Sequence, residues 1–135
     1  MLRTKTLACT LVLLLLAAAP ALADGVKWLS LQEARQQQAA QYRPLFLYFH
    51  LPYCFRCKEM KEWVFSEPAV AARLNGSFWA VKLDLDQNPQ ASKEFKVQDV
   101  PTFLFLGKDG AVRERKYGVI RKEAFMELLR RMGNR

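Results

Sequence analysis

Residues 49–58 read FHLPYCFRCK and place two cysteines, Cys54 and Cys57, three positions apart. An apolar run precedes the pair and a helical pattern follows it, so Cys54 is predicted to begin a helix. Unpaired N–H groups and the dipole at a helix start favour a thiolate there. Because the thiolate is the attacking form of cysteine, the pattern is typical of a redox-active pair, with Cys54 as nucleophile and Cys57 as resolving thiol.

The segments around this pair predict a layered α/β domain. The run LFLYF at residues 45–49 is continuous rather than alternating, which is typical of a strand buried on both faces. Similar runs at 78–85 and 102–106 predict two further central strands. The turn signal at 108–110 predicts a hairpin that leads to a fourth strand at 112–117.

Helical patterns occupy the intervening segments. The capping-box sequence SLQE predicts a helix that begins at Ser30, and residues 26–28 alternate as a short edge strand would. Further helices are predicted to begin at Cys54, Pro68, Asn88 and Lys122. The order predicts a mixed central sheet of four or five strands with helices on both faces.

The first 23 residues are predicted to be a secretory signal peptide. Basic residues precede an apolar core at 11–19, and the Ala-Leu-Ala that ends at Ala23 fits a small-x-small cleavage site. The core is short for a membrane span, although an uncleaved anchor is the alternative. Residues 24–135 are then one domain in the bacterial periplasm or outside the cell, where disulfides persist.

The charge distribution argues against nucleic-acid binding, and the size of the disulfide ring argues against a purely structural disulfide. The formal net charge is +8, but the basic residues are scattered and no aromatic-rich basic motif accompanies them. We therefore expect no nucleic-acid partner. A disulfide between Cys54 and Cys57 would close a very small ring, and loop-closure stabilisation grows with ring size, so a purely structural bridge is a weak explanation.

Four features in order resemble the thioredoxin superfamily. They are the Cys54-Phe55-Arg56-Cys57 pair, the sequence KLDLDQNP at 82–89, Val-Pro-Thr at 100–102 at the head of a strand, and Gly118 before the last helix. Within the superfamily, the chain is most similar to the C-terminal domain of the DsbD-type disulfide interchange reductases, which share the pattern FSEPAV at 65–70.

The resemblance implies the thioredoxin fold and an exported thiol–disulfide oxidoreductase without a cofactor. Its partners would be disulfide-containing client proteins and a membrane or periplasmic electron donor. It also implies that Pro101 follows a cis peptide bond beside the dithiol and that Val100 offers backbone hydrogen bonds to a bound client. The implied direction is reduction of clients. The alternative is a disulfide-forming oxidase, because Arg56 and the helix dipole both favour the thiolate.

The chain departs from these relatives behind the dithiol. Tyr48 occupies the position of their buried acid, six residues before the first cysteine. A carboxylate there would help to deprotonate the resolving thiol. Without it, Lys82, His50 or a water molecule could take that role. Lys61 replaces a second acid of the DsbD-type domains, four residues after the second cysteine.

Two other readings of the site stay open. Cys54, Cys57 and His50 could carry copper(I), but a closed zinc site requires four such ligands and we expect no resident metal. His50 is better explained as a strand-end residue beside the site.

In the other reading, the domain is a non-catalytic binding module with an apolar docking surface of four aromatic residues, Tyr53, Phe55, Trp63 and Trp79. Tyr53 and Phe55 flank Cys54 and are expected to contact a client, whereas Trp63 and Trp79 are expected to pack in the core.

Overall fold

The computed structural model describes residues 25–134. The predicted signal peptide at residues 1–23 lies outside this range. Within it, no helix is long and apolar enough to cross a membrane.

Four strands form one mixed sheet in the order β2-β1-β3-β4. Strand β1 (Leu45–His50) pairs in parallel with β2 (Trp79–Asp84) and antiparallel with β3 (Thr102–Leu106). Strand β4 (Val112–Tyr117) is the antiparallel hairpin partner of β3. The α/β thioredoxin fold predicted from the sequence is confirmed, and β1 lies at the centre of the sheet.

Five α-helices cover the sheet. They are α1 (Leu31–Ala40), α2 (Phe55–Met60), α3 (Pro68–Ser77), α4 (Pro89–Glu94) and α5 (Lys122–Gly133). The predicted capping box starts α1, because Glu33 N–H donates to Ser30 Oγ at 3.2 Å and Ser30 N–H donates to Glu33 Oε2 at 2.8 Å. After Met60, α2 continues as a π-helical turn over Lys61–Phe65.

The side chains of β1 alternate between two apolar clusters. Phe46 and Tyr48 pack with α2, α3 and α5 on one face, whereas Leu45, Leu47 and Phe49 pack with α1 and α4 on the other. All five are at most 2% exposed. Burial on both faces fixes β1 and therefore fixes the point at which the chain enters α2.

The edge strand predicted at residues 26–28 is wrong. Leu29 alone forms a bridge with Val81, and its N–H donates to Ala80 O at 2.8 Å. The amide of Lys27 instead donates to Asn75 Oδ1 at 2.8 Å, which directs the segment away from the sheet. The sheet consequently has four strands in the described part of the chain.

The prediction that Trp63 packs in the core is also wrong. Trp63 is 65% exposed, because its neighbours Val64 and Phe65 take the inward positions of the π-helical turn. Trp79 packs at the edge of the core, where its indole N–H donates to Gln41 O at 3.0 Å and the Arg43 guanidinium lies 4.5 Å from its ring.

The burial of β1 generates a stability prediction. We expect Phe46→Ala to lower the free energy of unfolding by about 3–5 kcal/mol, because it leaves a large cavity between β1, α3 and α5. The matched control is Phe55→Ala, which removes a ring that is 74% exposed and should change stability by less than about 0.5 kcal/mol. Urea denaturation of both reduced variants measures the difference, and similar midpoints would contradict this account of the core.

Candidate active site

The first cysteine of the pair caps helix α2. Cys54 has extended backbone angles (φ −84°, ψ 115°), and its Sγ accepts a hydrogen bond from the Cys57 N–H at 3.2 Å. Its own carbonyl accepts the N–H of Lys58 at 3.1 Å, which begins the helical hydrogen bonds. The sulfur therefore takes the place of the usual Ser or Asp side chain, and the helix start offers a donor to a thiolate.

The two sulfurs differ in their access to solvent. Cys54 is half-buried, whereas Cys57 is only 4% exposed. Burial and, to a smaller extent, its hydrogen bond with Cys54 raise the pKa of the Cys57 thiol to about 11. The arrangement gives one accessible nucleophile and one shielded thiol, as dithiol exchange requires.

A proline loop lies beside Cys54. The peptide bond between Val100 and Pro101 is cis, as the resemblance implied. The Val100 carbonyl oxygen is 4.0 Å from Cys54 Sγ, and Gly118 N–H donates to Pro101 O at 2.9 Å. The head of β3 is thereby held next to the Cys54 sulfur.

Tyr48 provides a neutral hydroxyl behind the pair. It is 2% exposed, and its hydroxyl donates to Cys57 O at 3.4 Å. Burial raises the pKa of Tyr48, and the charge of the Cys57 thiolate raises it further. Its ring is fixed between Trp28 and Phe103, with ring centres 5.7 and 5.4 Å away. Tyr48 is therefore a hydrogen-bond donor at this position and not a base.

Three lysine side chains line a cavity beside the dithiol. A cavity of about 380 Å³ is lined by Tyr48, His50, Leu51, Pro52, Cys54, Cys57, Lys58, Lys61, Glu62 and Lys82. Lys82 lies directly opposite Tyr48 in the β1–β2 register. Burial lowers the pKa of Lys82 and Lys61 lowers it further, whereas the Cys57 thiolate raises it. Lys82 is thus electrostatically linked to the resolving thiol.

His50 is a weaker base than an exposed imidazole. Burial and then Lys82 lower its pKa, against an opposing effect of Asp84. Its ring lies 5.5 Å from that of Tyr48, centre to centre. Within residues 25–134, no three His, Cys, Asp or Glu side chains come together as a metal-binding cluster, so His50 lines the cavity with the cysteines but does not complete a ligand set.

The residues that flank Cys54 face solvent. Tyr53 is 76% exposed and Phe55 is 74% exposed. The Tyr53 hydroxyl donates to Asp86 Oδ2 at 2.9 Å, and this hydrogen bond raises the pKa of Tyr53. Arg56 is exposed as well. Both rings are accessible to a client, and Tyr53 is held toward the connection between β2 and α4.

Sequence reasoning assigned no role to two residues that shape the site. Trp28 lies against Tyr48, and nothing in its local sequence signals a contact across about 20 positions. Asp86, within the KLDLDQNP sequence, accepts the hydrogen bond of the Tyr53 hydroxyl and so orients Tyr53. The sequence places both residues just after neighbouring parallel strands, and this was the signal that could have predicted their contact.

Comparison with known proteins gives the same fold. A family model described as thioredoxin-like matches residues 27–108. The thiol:disulfide interchange protein DsbD of Vibrio vulnificus is 29% identical over 118 residues, which cover 81% of this chain and 20% of that protein. The chain thus spans about a fifth of the length of this relative.

Two shorter proteins match over most of their length. A thioredoxin-like protein of Synechocystis is 31% identical over 98 residues, 73% of this chain and 86% of that protein. The solution structure of a Thermus thermophilus thioredoxin is 28% identical with a TM-score of 0.71, and the match covers 79% of this chain and 86% of that one. The chain therefore belongs to the thioredoxin-like family, and Cys54 and Cys57 form its Cys-x-x-Cys pair.

Proposed function

We propose that this protein is an exported oxidoreductase that reduces disulfides in client proteins. The observation that carries the proposal is the half-buried Cys54 sulfur, which accepts the Cys57 amide at 3.2 Å while the cis-proline loop lies at its side. Together these features give an accessible thiolate, a shielded second thiol and a backbone edge that can hold a polypeptide.

In the first step, the Cys54 thiolate attacks one sulfur of a client disulfide. The client S–S bond breaks, a mixed disulfide forms through Cys54, and the other client sulfur leaves as a thiolate. The Cys57 N–H stabilises the attacking sulfur, and the Val100 backbone aligns the client beside it.

In the second step, Cys57 loses its proton and attacks Cys54 Sγ. The mixed disulfide breaks, the client leaves as a thiolate, and the Cys54–Cys57 disulfide forms, so two electrons pass from the dithiol to the client. His50 lines the same cavity as Cys57, and its imidazole accepts the proton. Lys82, whose pKa the Cys57 thiolate raises, stabilises that thiolate by its positive charge. A membrane or periplasmic electron donor then reduces the disulfide again.

The surroundings of the pair support the reducing direction. A dithiol becomes an oxidant when its reduced form is strongly stabilised. Here the buried Cys57 resists ionisation, and Arg56 is exposed, so that water and salt screen its charge from Cys54. The N-cap donor and the charge of Lys82 are the effects that favour a thiolate at the pair, and we expect this limited stabilisation to give a low reduction potential.

The reduction potential tests this direction. Equilibration with dithiothreitol mixtures should give a value closer to the about −270 mV of thioredoxin than to the about −120 mV of the oxidant DsbA. In cells, alkylation trapping should find the pair mostly reduced. A high potential with a mostly oxidised pair would assign the protein to disulfide formation instead. Cys57→Ser, which cannot close the disulfide, is the matched control for the trapping.

The burial of Cys57 predicts how the second step depends on pH. In a Cys54→Ser variant, the pKa of Cys57 should remain above that of an ordinary thiol, because burial, the largest cause of its raised pKa, is unchanged. Below the pKa of Cys57, each pH unit lowers the thiolate fraction about tenfold, so client release should accelerate as pH rises from 7 toward 10.

Thiolate ultraviolet absorbance measures the titration, and the Cys54→Ser, Cys57→Ser double variant supplies the tyrosine background. Single-turnover mixing with a client disulfide measures release. A Cys57 midpoint below about pH 8.5, the value of an unperturbed thiol, would contradict the shielded role.

The export proposal predicts a defined amino terminus. Protein recovered from the periplasm should have the mass of a chain that begins at Asp24, because Ala23 ends the cleavage site. Ala23→Glu should block processing, whereas Gly25→Ala, beyond the site, should not. A full-length chain recovered from the membrane fraction would instead identify an uncleaved anchor.

A further inference from the structure

The cavity beside the dithiol has the size and the lining of a small-molecule site. Its volume of about 380 Å³ lies within the range of ligand pockets, about 300–1,000 Å³. Cys54 and Cys57 both line it, so a molecule bound there lies next to the reacting sulfurs. A folded client protein is far larger than this space, whereas a small disulfide fits it.

The positive charges that line the cavity exceed the negative ones. Besides the imidazole of His50, the lining contains three lysines and one carboxylate, which are Lys58, Lys61, Lys82 and Glu62. Lys58 Nζ lies 3.7 Å from a Glu62 carboxylate oxygen, so these two charges are paired. Among residues 25–134, no carboxylate forms an ion pair with Lys61 or Lys82. Two ammonium groups therefore face the cavity without a carboxylate partner.

The acid nearest to Lys82 along β2 does not supply the missing charge. Asp84 follows Lys82 by two positions, but its carboxylate is not part of the cavity lining. Its Oδ1 instead accepts the backbone N–H groups of Asp86 and Gln87, at 2.9 and 3.1 Å. Asp84 is thus engaged by the connection between β2 and α4, and the two lysines stay available to an anion from outside.

Lys61 and Lys82 lie close enough to repel each other. Burial and then the charge of Lys61 lower the pKa of Lys82. Lys82 is half-buried, so water screens this repulsion less than it would at an exposed position. An anion that contacts both ammonium groups removes the repulsion and adds two favourable charge interactions.

Free space lies on both sides of the two lysines. A second cavity, of about 340 Å³, shares Tyr48, Lys61 and Lys82 with the first. Its other walls include the apolar side chains of Trp28 and Phe65. Because no part of the described chain fills either cavity, the ammonium groups are accessible to an anion that enters from solvent.

We propose that the cavity binds small disulfides that carry a carboxylate a few atoms from the sulfur, with Lys61 and Lys82 holding the carboxylate while Cys54 attacks the disulfide. A carboxylate suits the site because its two oxygens can accept charge-assisted hydrogen bonds from two ammonium groups. This inference rests on the proposed exchange function and gives the same dithiol a second class of substrate.

The reaction balances without a further reagent. The Cys54 thiolate attacks one sulfur of the small disulfide, the S–S bond breaks, and one half leaves as a thiolate. Cys57 then loses its proton and attacks Cys54 Sγ, so the second half leaves and the Cys54–Cys57 disulfide forms. Two electrons pass from the dithiol to the small disulfide, and the two thiol protons pass through the buffer to the released thiolates.

The test uses the reduced protein and three disulfides of equal chain length that differ in charge. Dithiodipropionate carries two carboxylates, hydroxyethyl disulfide is neutral, and cystamine carries two ammonium groups. Alkylation of the remaining thiols, followed by mass spectrometry, gives the rate at which the Cys54–Cys57 disulfide forms. Each rate is divided by that of the same disulfide with dithiothreitol, which corrects for intrinsic reactivity.

After this correction, dithiodipropionate should react about tenfold faster than hydroxyethyl disulfide at limiting concentration, because two partly exposed ion pairs hold its carboxylate. Cystamine should react more slowly than the neutral disulfide. Lys61→Gln should reduce the tenfold preference to about threefold, and the Lys61→Gln, Lys82→Gln double variant should abolish it. The Lys93→Gln, Lys108→Gln double variant removes the same charge from exposed positions outside the cavity and should leave the preference unchanged.

The ratio of rates is the readout because a change in the reactivity of the dithiol affects all three disulfides alike. Circular dichroism checks that each variant is folded, and Lys61→Gln, at an exposed helical position, decides the question alone if the Lys82 change is not tolerated.

Equal corrected rates for the three disulfides would overturn the carboxylate site and leave the exchange function standing. A preference that survived the Lys61→Gln, Lys82→Gln variant, or that fell equally in the control, would also overturn it, because the overall positive charge would then explain the preference. If none of the disulfides oxidised the dithiol, the exchange function itself would fail.

Discussion

The hydrogen bond from the Cys57 amide to the Cys54 sulfur joins the fold to its chemistry. It exists because Cys54 stands at the helix N-cap, where backbone N–H groups have no partner within the helix. The position of this N-cap is fixed because β1 is buried on both faces, and the carboxyl end of β1 leads directly into the segment that starts helix α2. The packing of β1 therefore determines which sulfur lies at the start of the helix.

The same packing separates the electrostatic environments of the two thiols. Cys54 is at the water boundary, whereas Cys57 lies under the helix next to Tyr48, a neutral donor held between aromatic rings. A carboxylate in place of Tyr48 would supply a base directly. In this chain the titratable groups nearest to that role are His50 and Lys82 in the adjoining cavity. His50 lies at the carboxyl end of β1 and Lys82 lies on the neighbouring strand β2.

The sequence predicted those parts of the structure that depend on interactions between residues close together in the chain. The capping box at Ser30, the uninterrupted apolar run of β1 and the helix start at Cys54 each follow from neighbouring residues. The wrong prediction of an edge strand at residues 26–28 has its cause in a residue that is distant in the sequence. Asn75 draws the Lys27 amide away from the sheet, although 48 positions separate them.

The position of Trp63 shows why helical periodicity alone could not place every aromatic residue. A regular 3.6-residue repeat assigns inward positions from spacing, but the π-helical turn inserts a residue into that repeat. Met60, Val64 and Phe65 then fill the core completely, and the indole has no inward position left. Hydrophobicity predicts that a side chain will be buried somewhere. For Trp63 that burial is incomplete, because the π-helical turn leaves its indole 65% exposed.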